Sequence, residues 1–145
     1  MLLRRRSDKI DVLKKVPLFG DLSRRHLDLI ARHADEVTLD AGRVLARQGE
    51  HGLEFLLIID GGARVERNGK AIARLGAGAF FGEMSLIDGK PRTASVIAET
   101  PVALLVIHRR AFGHFLDTVP GLQKKILLAL CDRLREADVT LASMN

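Results

Sequence analysis

Glycine cuts residues 36–108 into runs too short to be helices: Val37–Leu39, Val44–Ala46, Phe55–Ile59, Ala63–Arg67, Ala71–Leu75, Ser95–Ala98 and Val102–Ile107. The breaks fall at Gly42, Gly49, Gly52, Gly61-Gly62, Asn68-Gly69, Gly76, Gly78, Gly82 and Gly89. Short Val-, Ile- and Leu-rich runs with a turn signal about every 8–12 residues are the pattern of an antiparallel sandwich or roll. Asn68-Gly69 is the strongest hairpin signal, because a type I′ turn needs two positive φ angles and these residues tolerate them. It joins Arg64-Val65-Glu66 to Ala71-Ile72-Ala73-Arg74-Leu75. With Arg74 facing water, strand alternation turns Ala71, Ala73 and Leu75 the other way, opposite Val65, as a small apolar wall.

The flanks read as helix. Ile10, Leu13 and Val16, then Leu22, Leu27 and Ile30, recur at helical steps, with Pro17 and Gly20 between the two segments and Ser23 placed to cap a helix ending near His33. After Ile107 come a segment over Arg109–Asp117 and a longer one, with Pro120 in its first turn and Leu122, Ile126, Leu130, Leu134, Ala137 and Leu141 on one stripe. Cys131 is expected to pack inertly beside that stripe. The fold class is α+β, mainly β: an eight-stranded antiparallel roll with N-terminal helices, a short helical turn in a long connection, and C-terminal helices. The expected organisation is a basic helical lead-in over residues 1–15 and one domain over 16–145, helical to 35, β-roll over 36–108, helical again over 109–141.

Composition narrows the function. A chain of 145 residues, 47% hydrophobic, suits one globular domain and disfavours a two-domain enzyme. Its net charge of +5 invites a polyanion partner, but residues 1–15 hold six basic against two acidic side chains, net +4, leaving +1 for the body. No DNA contact is expected of the body; the Arg4-Arg5-Arg6 segment is a solvated terminus or, less simply, a membrane or nucleic-acid contact. Without Trp or Tyr, and with six Phe, the chain is poor in stacking platforms for single strands. One cysteine gives no disulfide framework, no apolar run approaches the roughly 20 residues of a membrane span, and Met1-Leu2-Leu3 is no signal-peptide core. A cytoplasmic location is expected. The histidine spacing (His26 and His33, His108 and His114) holds no close strand pair, and no metal or cofactor is expected.

Between Leu75 and Ser95 lie nineteen residues where a hairpin would use about two to five, and long connections in compact domains are usually functional. Glycines flank a single helical turn at Glu83–Leu86, whose free N–H groups would suit a phosphate oxygen. Arg92, after Pro91, offers a planar fork of donors that lysine cannot reproduce. Glu83 could accept hydrogen bonds from a ribose hydroxyl, and the wall of Val65, Ala73 and Leu75 could take a base. A salt bridge between Glu83 and Arg92 that merely closes the loop is the plainer alternative.

Phe80-Phe81-Gly82-Glu83-Met84-Ser85-Leu86-Ile87 followed by Pro91-Arg92-Thr93-Ala94-Ser95-Val96 closely resembles the phosphate-binding cassette of cyclic nucleotide-binding domains, the sensors of catabolite-activator-type regulators, kinase regulatory subunits and nucleotide-gated channels. The resemblance runs from Val16-Pro17-Leu18-Phe19 through Gly49 and Gly61 to the last helix. It implies that Glu83 binds the ribose 2′-hydroxyl, that Arg92 binds the cyclic phosphate, and that the backbone of Gly82, Glu83, Met84 and Ser85 lines the pocket. By the same resemblance Thr93 can contact the phosphate or a guanine amino group, permitting cGMP beside cAMP, and is otherwise an ordinary strand residue. Arg133 falls where channel-type members carry a lid over the base, and is otherwise a solvated helix charge. Leu56 departs from a position that is often aromatic and is expected to repack the core.

The function expected is a stand-alone, non-enzymatic receptor for cAMP, with cGMP permitted, whose last helix moves on binding and signals to an unidentified protein effector. The alternatives are a sensor fragment of a channel, or of a transcription regulator whose DNA-binding part is absent. A metal-dependent β-roll enzyme is the third reading.

Overall fold

The computed structural model describes residues 6–143, with side chains from 7 to 137. Arg4 and Arg5 and the Arg6 side chain lie outside the described residues, as does the side chain of Leu141. Helices α1 (Arg6–Lys14) and α2 (Arg24–Arg32) precede eight strands: β1 (Ala34–Leu39), β2 (Val44–Ala46), β3 (Glu54–Asp60), β4 (Ala63–Arg67), β5 (Lys70–Leu75), β6 (Phe80–Phe81), β7 (Ser95–Ala98) and β8 (Val102–His108). Helix α3 (Glu83–Asp88) interrupts them between β6 and β7, and α4 (Arg109–Thr118) and α5 (Leu122–Ser143) close the chain.

The strands form two antiparallel four-stranded sheets, ordered β1-β8-β3-β6 and β2-β7-β4-β5. Their packing explains why the runs at 55–59 and 102–107 are apolar throughout. Phe55 and Leu57 of β3 and Leu105 and Ile107 of β8 pack under the helices, while Leu56 and Ile58, Val102, Leu104 and Val106 fill the space between the sheets. A strand covered on both faces loses its apolar/polar alternation. Leu56 sits in that inter-sheet core.

Helix α1, within the lead-in expected over residues 1–15, packs against the roll. Ile10 and Leu13 are buried among Phe19, Leu27 and Phe55, and Lys9 Nζ donates to the Ala34 carbonyl, so α1 packs into the same unit as the roll. Ser23 caps α2, accepting from the His26 N–H.

Other expectations change in register. Asn68 and Gly69 turn with φ +54° and +81°, and Val65 pairs with Ala73 and Ala63 with Leu75. A bulge between Val65 and Glu66 shifts the pairing so that Glu66 meets Ala71, taking Ala71 off the wall. Helix α5 starts at Leu122, after Gly121 at φ +83°, so Pro120 precedes the helix instead of opening its first turn. Its buried stripe holds Leu122 and Ile126, with Leu130 half-buried; Leu134 and Ala137 are exposed, and so is Cys131. The helix has outrun the core by that point.

Candidate functional site

The nineteen-residue connection folds as one strand pair and one short helix. Ile58 N–H donates to the Ala79 carbonyl and Gly78 N–H to the Ile58 carbonyl, which dock the chain against β3 and let Phe80–Phe81 pair with Leu57 and Leu56 as β6. Gly82 then turns at φ +97°, and a Cβ there would sit 2.4 Å from the Glu54 carbonyl oxygen, so only glycine fits on both counts. Helix α3 follows for six residues and ends at Gly89, whose N–H donates to the Ser85 carbonyl.

Arg92 is held by its backbone. Its N–H donates to the Glu50 carbonyl and its carbonyl accepts from Gly49 N–H, while His51 and Pro91 form a bridge beside it. The half-buried guanidinium lies over Gly52, where an added Cβ would come within 2.9 Å of Cζ, and one amino group reaches the Glu54 carbonyl at 3.5 Å. Burial lowers the guanidinium pKa, and the carboxylates of Glu54, Glu83 and Glu50 oppose that shift. The cation therefore sits where an incoming anion would replace lost hydration.

Glu83 is the deepest charge in the protein's described core, 1% exposed. Its Oε1 accepts from Arg133 of α5, while Oε2 is buried with no hydrogen-bond partner. Burial raises the carboxyl pKa above its ordinary value, against the pull of Arg133 and Arg92. A buried carboxylate oxygen without a donor is costly, and its natural complement is a hydroxyl brought by a ligand.

These groups face a cavity of about 370 Å³ between β4–β5, the connection and α5. All ten residues singled out from the sequence line it: Val65, Ala73 and Leu75 on the sheet; Gly82, Glu83, Met84 and Ser85 at the start of α3; Arg92 and Thr93; and Arg133. Ser85 is buried, whereas Met84 and Thr93 are exposed at the mouth. Arg133 is no solvated charge. It bonds Glu83, donates to the Phe80 carbonyl at 2.5 Å and lies 4.5 Å over the Phe80 ring, tying α5 to the connection. The plainer loop-closing bridge between Glu83 and Arg92 is also replaced, since the ion pair of Glu83 is with Arg133.

Sequence reasoning missed Gly52, Phe80 as the seat of Arg133, Arg67, whose Nε donates to the Thr93 carbonyl, and Glu136, one turn beyond Arg133 on the cavity wall. Helical spacing of Arg133 and Glu136 was the available signal for the last; the others depend on contacts remote in sequence. Among the described residues no group of three or more His, Cys, Asp or Glu is arranged to hold a metal, and no helix is long and apolar enough to cross a membrane.

The family model described as cyclic nucleotide-binding domain matches residues 36–119. A cyclic nucleotide-gated potassium channel of Mesorhizobium japonicum is 40% identical over 105 residues, covering 72% of this chain and 29% of the channel. A cGMP-dependent protein kinase of Caenorhabditis elegans is 33% identical over 129 residues, 84% of this chain and 16% of the kinase. The cyclic AMP receptor protein of Thermus thermophilus is 31% identical over 134 residues, 89% of this chain and 62% of that protein. A crystal structure of a catabolite activator protein from the same organism superposes with a TM-score of 0.79 at 32% identity, covering 88% of this chain and 62% of that one. The chain thus spans less than a third of the channel and about a sixth of the kinase.

Proposed function

Since the chain belongs to the cyclic nucleotide-binding domain family, we propose that it is a receptor for cAMP, with cGMP admitted, and that it reports occupancy to a protein effector through α5. The observation that carries this reading is the Glu83 side chain: buried, held at one oxygen by Arg133, without a hydrogen-bond partner at the other, and on the wall of a cavity that Arg92 also lines. A ligand that satisfies both groups must present a hydroxyl donor and an anion on one rigid body. A 2′-hydroxyl beside a 3′,5′-cyclic phosphate does so. The phosphate goes to the Arg92 fork and the adjoining backbone at Gly82–Ser85, and the 2′-hydroxyl goes to Glu83 Oε2. The purine lies on Val65, Ala73 and Leu75, with Thr93 at the rim and Arg133 closing over it from α5.

The signal is a population shift. Phosphate at Arg92 draws in the connection that carries Phe80 and Glu83, both of which hold Arg133, so the closed position of α5 gains what the ligand adds. The hinge is the segment from Phe112 to Pro120. The shift cannot exceed the ligand's differential affinity for the closed form. The ligand leaves unchanged, so the chain acts as a receptor and not as an enzyme. The functional unit is residues 16–145 with the preceding helix packed on it.

The test is calorimetric titration with cAMP and with its 2′-deoxy analogue. One hydrogen bond to a charged acceptor contributes about 1.5–3 kcal/mol, so the analogue should bind about 10- to 150-fold more weakly. Equal affinities would remove Glu83 from its role. A second reading, a sensor part of a longer channel or transcription regulator, is favoured by the fraction of the channel that the chain spans. A reading frame running on into membrane spans or a helix-turn-helix would assign it so, with the same site.

A further inference from the structure

On a different face of the molecule, α2 and the start of β1 look across a groove at the end of β8 and α4. The groove has a volume of about 520 Å³ and continues into a depression of about 250 Å³ that shares Arg32 and His114 with it. Arg25, Arg32 and Arg110 line it, all exposed, against the single carboxylate of Asp35. Asp28 engages Arg32 from the side at 3.4 Å, and Asp35 and Glu54 lie 3.7 and 3.9 Å from the His108 ring. Four of the chain's five histidines, His26, His33, His108 and His114, add ring donors. Leu29, Ala111 and Phe115 form an apolar floor. Residues 16–145 carry only +1 in total, so this concentration of guanidinium groups is local.

We infer that this groove docks an acidic protein segment whose carboxylates meet Arg25, Arg32 and Arg110 and whose apolar side chains reach the half-buried Leu29 and Ala111. Charge complementarity decides the sign of the partner, and the floor decides that it is more than a simple polyanion. A nucleic acid fits less well. Phe115 is buried and gives no stacking face to a base. A bilayer surface fits less well too, because none of the exposed large apolar residues lies on α2 or α4.

The groove is also placed to read the nucleotide cavity, a point that rests on the proposed function. Arg133 lies over Phe80, Phe80 stacks on Phe55 at 5.4 Å, and Phe55 stacks on Phe112 of α4 at 4.9 Å. The same helix presents Arg110 and His114 outward to the groove. A displacement of the connection therefore meets α4 through three packed rings.

Fluorescence anisotropy with a labelled peptide of repeated Glu-Glu-Leu tests the assignment, with a DNA duplex and phosphatidylserine-containing vesicles as competing probes. Arg32→Glu with Arg110→Glu should weaken peptide binding by about tenfold or more, and the milder Arg32→Gln with Arg110→Gln by less. Lys70→Glu, on the distant hairpin, should change nothing. Peptide binding indifferent to both double variants, or a groove-dependent preference for duplex or vesicles, would overturn the assignment. Titration of the same variants with cAMP keeps the two readings apart: unchanged cAMP affinity is expected, and absence of cAMP binding by the wild type would remove the nucleotide reading while leaving the peptide result standing.

Discussion

Replacing Arg133 by alanine removes the strongest favourable charge beside a carboxylate that is 1% exposed. Taking one partner from a fully buried ion pair costs about 3–5 kcal/mol, because the other charge is left uncompensated. The Arg133 side chain is 40% exposed, so water enters when it is truncated, and the electrostatic loss should be discounted to about 1.5 kcal/mol at pH 8. A further loss of about 1 kcal/mol comes from the cation–π contact with Phe80 and the bond to its carbonyl, and it is present at every pH. The electrostatic part is not. Burial already holds the Glu83 pKa above the ordinary 4.5, so the folded state binds the proton more tightly than the unfolded state and loses stability as pH rises through the folded value. Without Arg133 that value climbs further. The deficit of Arg133→Ala against wild type should therefore be small near pH 4.5 and grow toward pH 8. At about 3 °C per kcal/mol for a chain of this size, thermal melts should show a deficit of about 3 °C at pH 4.5 and about 8 °C at pH 8. In a Glu83→Gln background the growth with pH should vanish while the constant part remains. A deficit equal at both pH values, or one that survives Glu83→Gln undiminished, would refute the pairing of these two residues as the link between α5 and the cavity.

Three further outcomes follow from the same geometry. Glu83→Gln should gain thermal stability on the wild type as pH is raised from 4.5 to 8, since it removes the buried charge whose pKa burial has raised, and it should bind cAMP more weakly in calorimetry. Gly52→Ala places a methyl 2.9 Å from the Arg92 guanidinium and 3.0 Å from the Ser85 Cβ, so the guanidinium is pushed off its seat and the start of α3 must give slightly; stability should fall by about 1 kcal/mol, about 3 °C in a melt, while nucleotide affinity falls about tenfold. Thr93→Ala should weaken cGMP more than cAMP in parallel titrations, by about tenfold against a smaller change, if the hydroxyl at the rim contacts the guanine amino group.

The roll was legible because its signals are local. Asn68-Gly69 declares its turn by the φ angles it tolerates, and Glu83 to Thr93 forms a contiguous segment whose residue types match one chemistry. What escaped was long-range. Strand β6 is two residues long and carries no alternation to detect. The bulge after Val65 is invisible in the pattern Ala71, Ala73, Leu75, which reads as uniform alternation until one residue is looped out. Gly52 matters only because Arg92, forty residues later, lies on it. The apolar stripe of α5 continues in sequence past Leu130 although the core beneath it ends, which is why Cys131 and Leu134 read as buried and are exposed. Arg133 shows the same limit: its helix was predictable, but the carboxylate fifty residues away that gives it a role was not.

In the proposed receptor Arg92, held by backbone bonds to Gly49 and Glu50, receives the phosphate of a cyclic nucleotide. Calorimetric titration of the wild type and of Arg92→Lys with cAMP tests it most directly. Lysine keeps the charge and loses the two-pronged geometry, so the wild type should show saturable one-to-one binding and the variant a loss of about 30-fold or more, roughly 2 kcal/mol. Undiminished affinity in Arg92→Lys would contradict the phosphate contact, and no binding of cAMP or cGMP by the wild type would contradict the function.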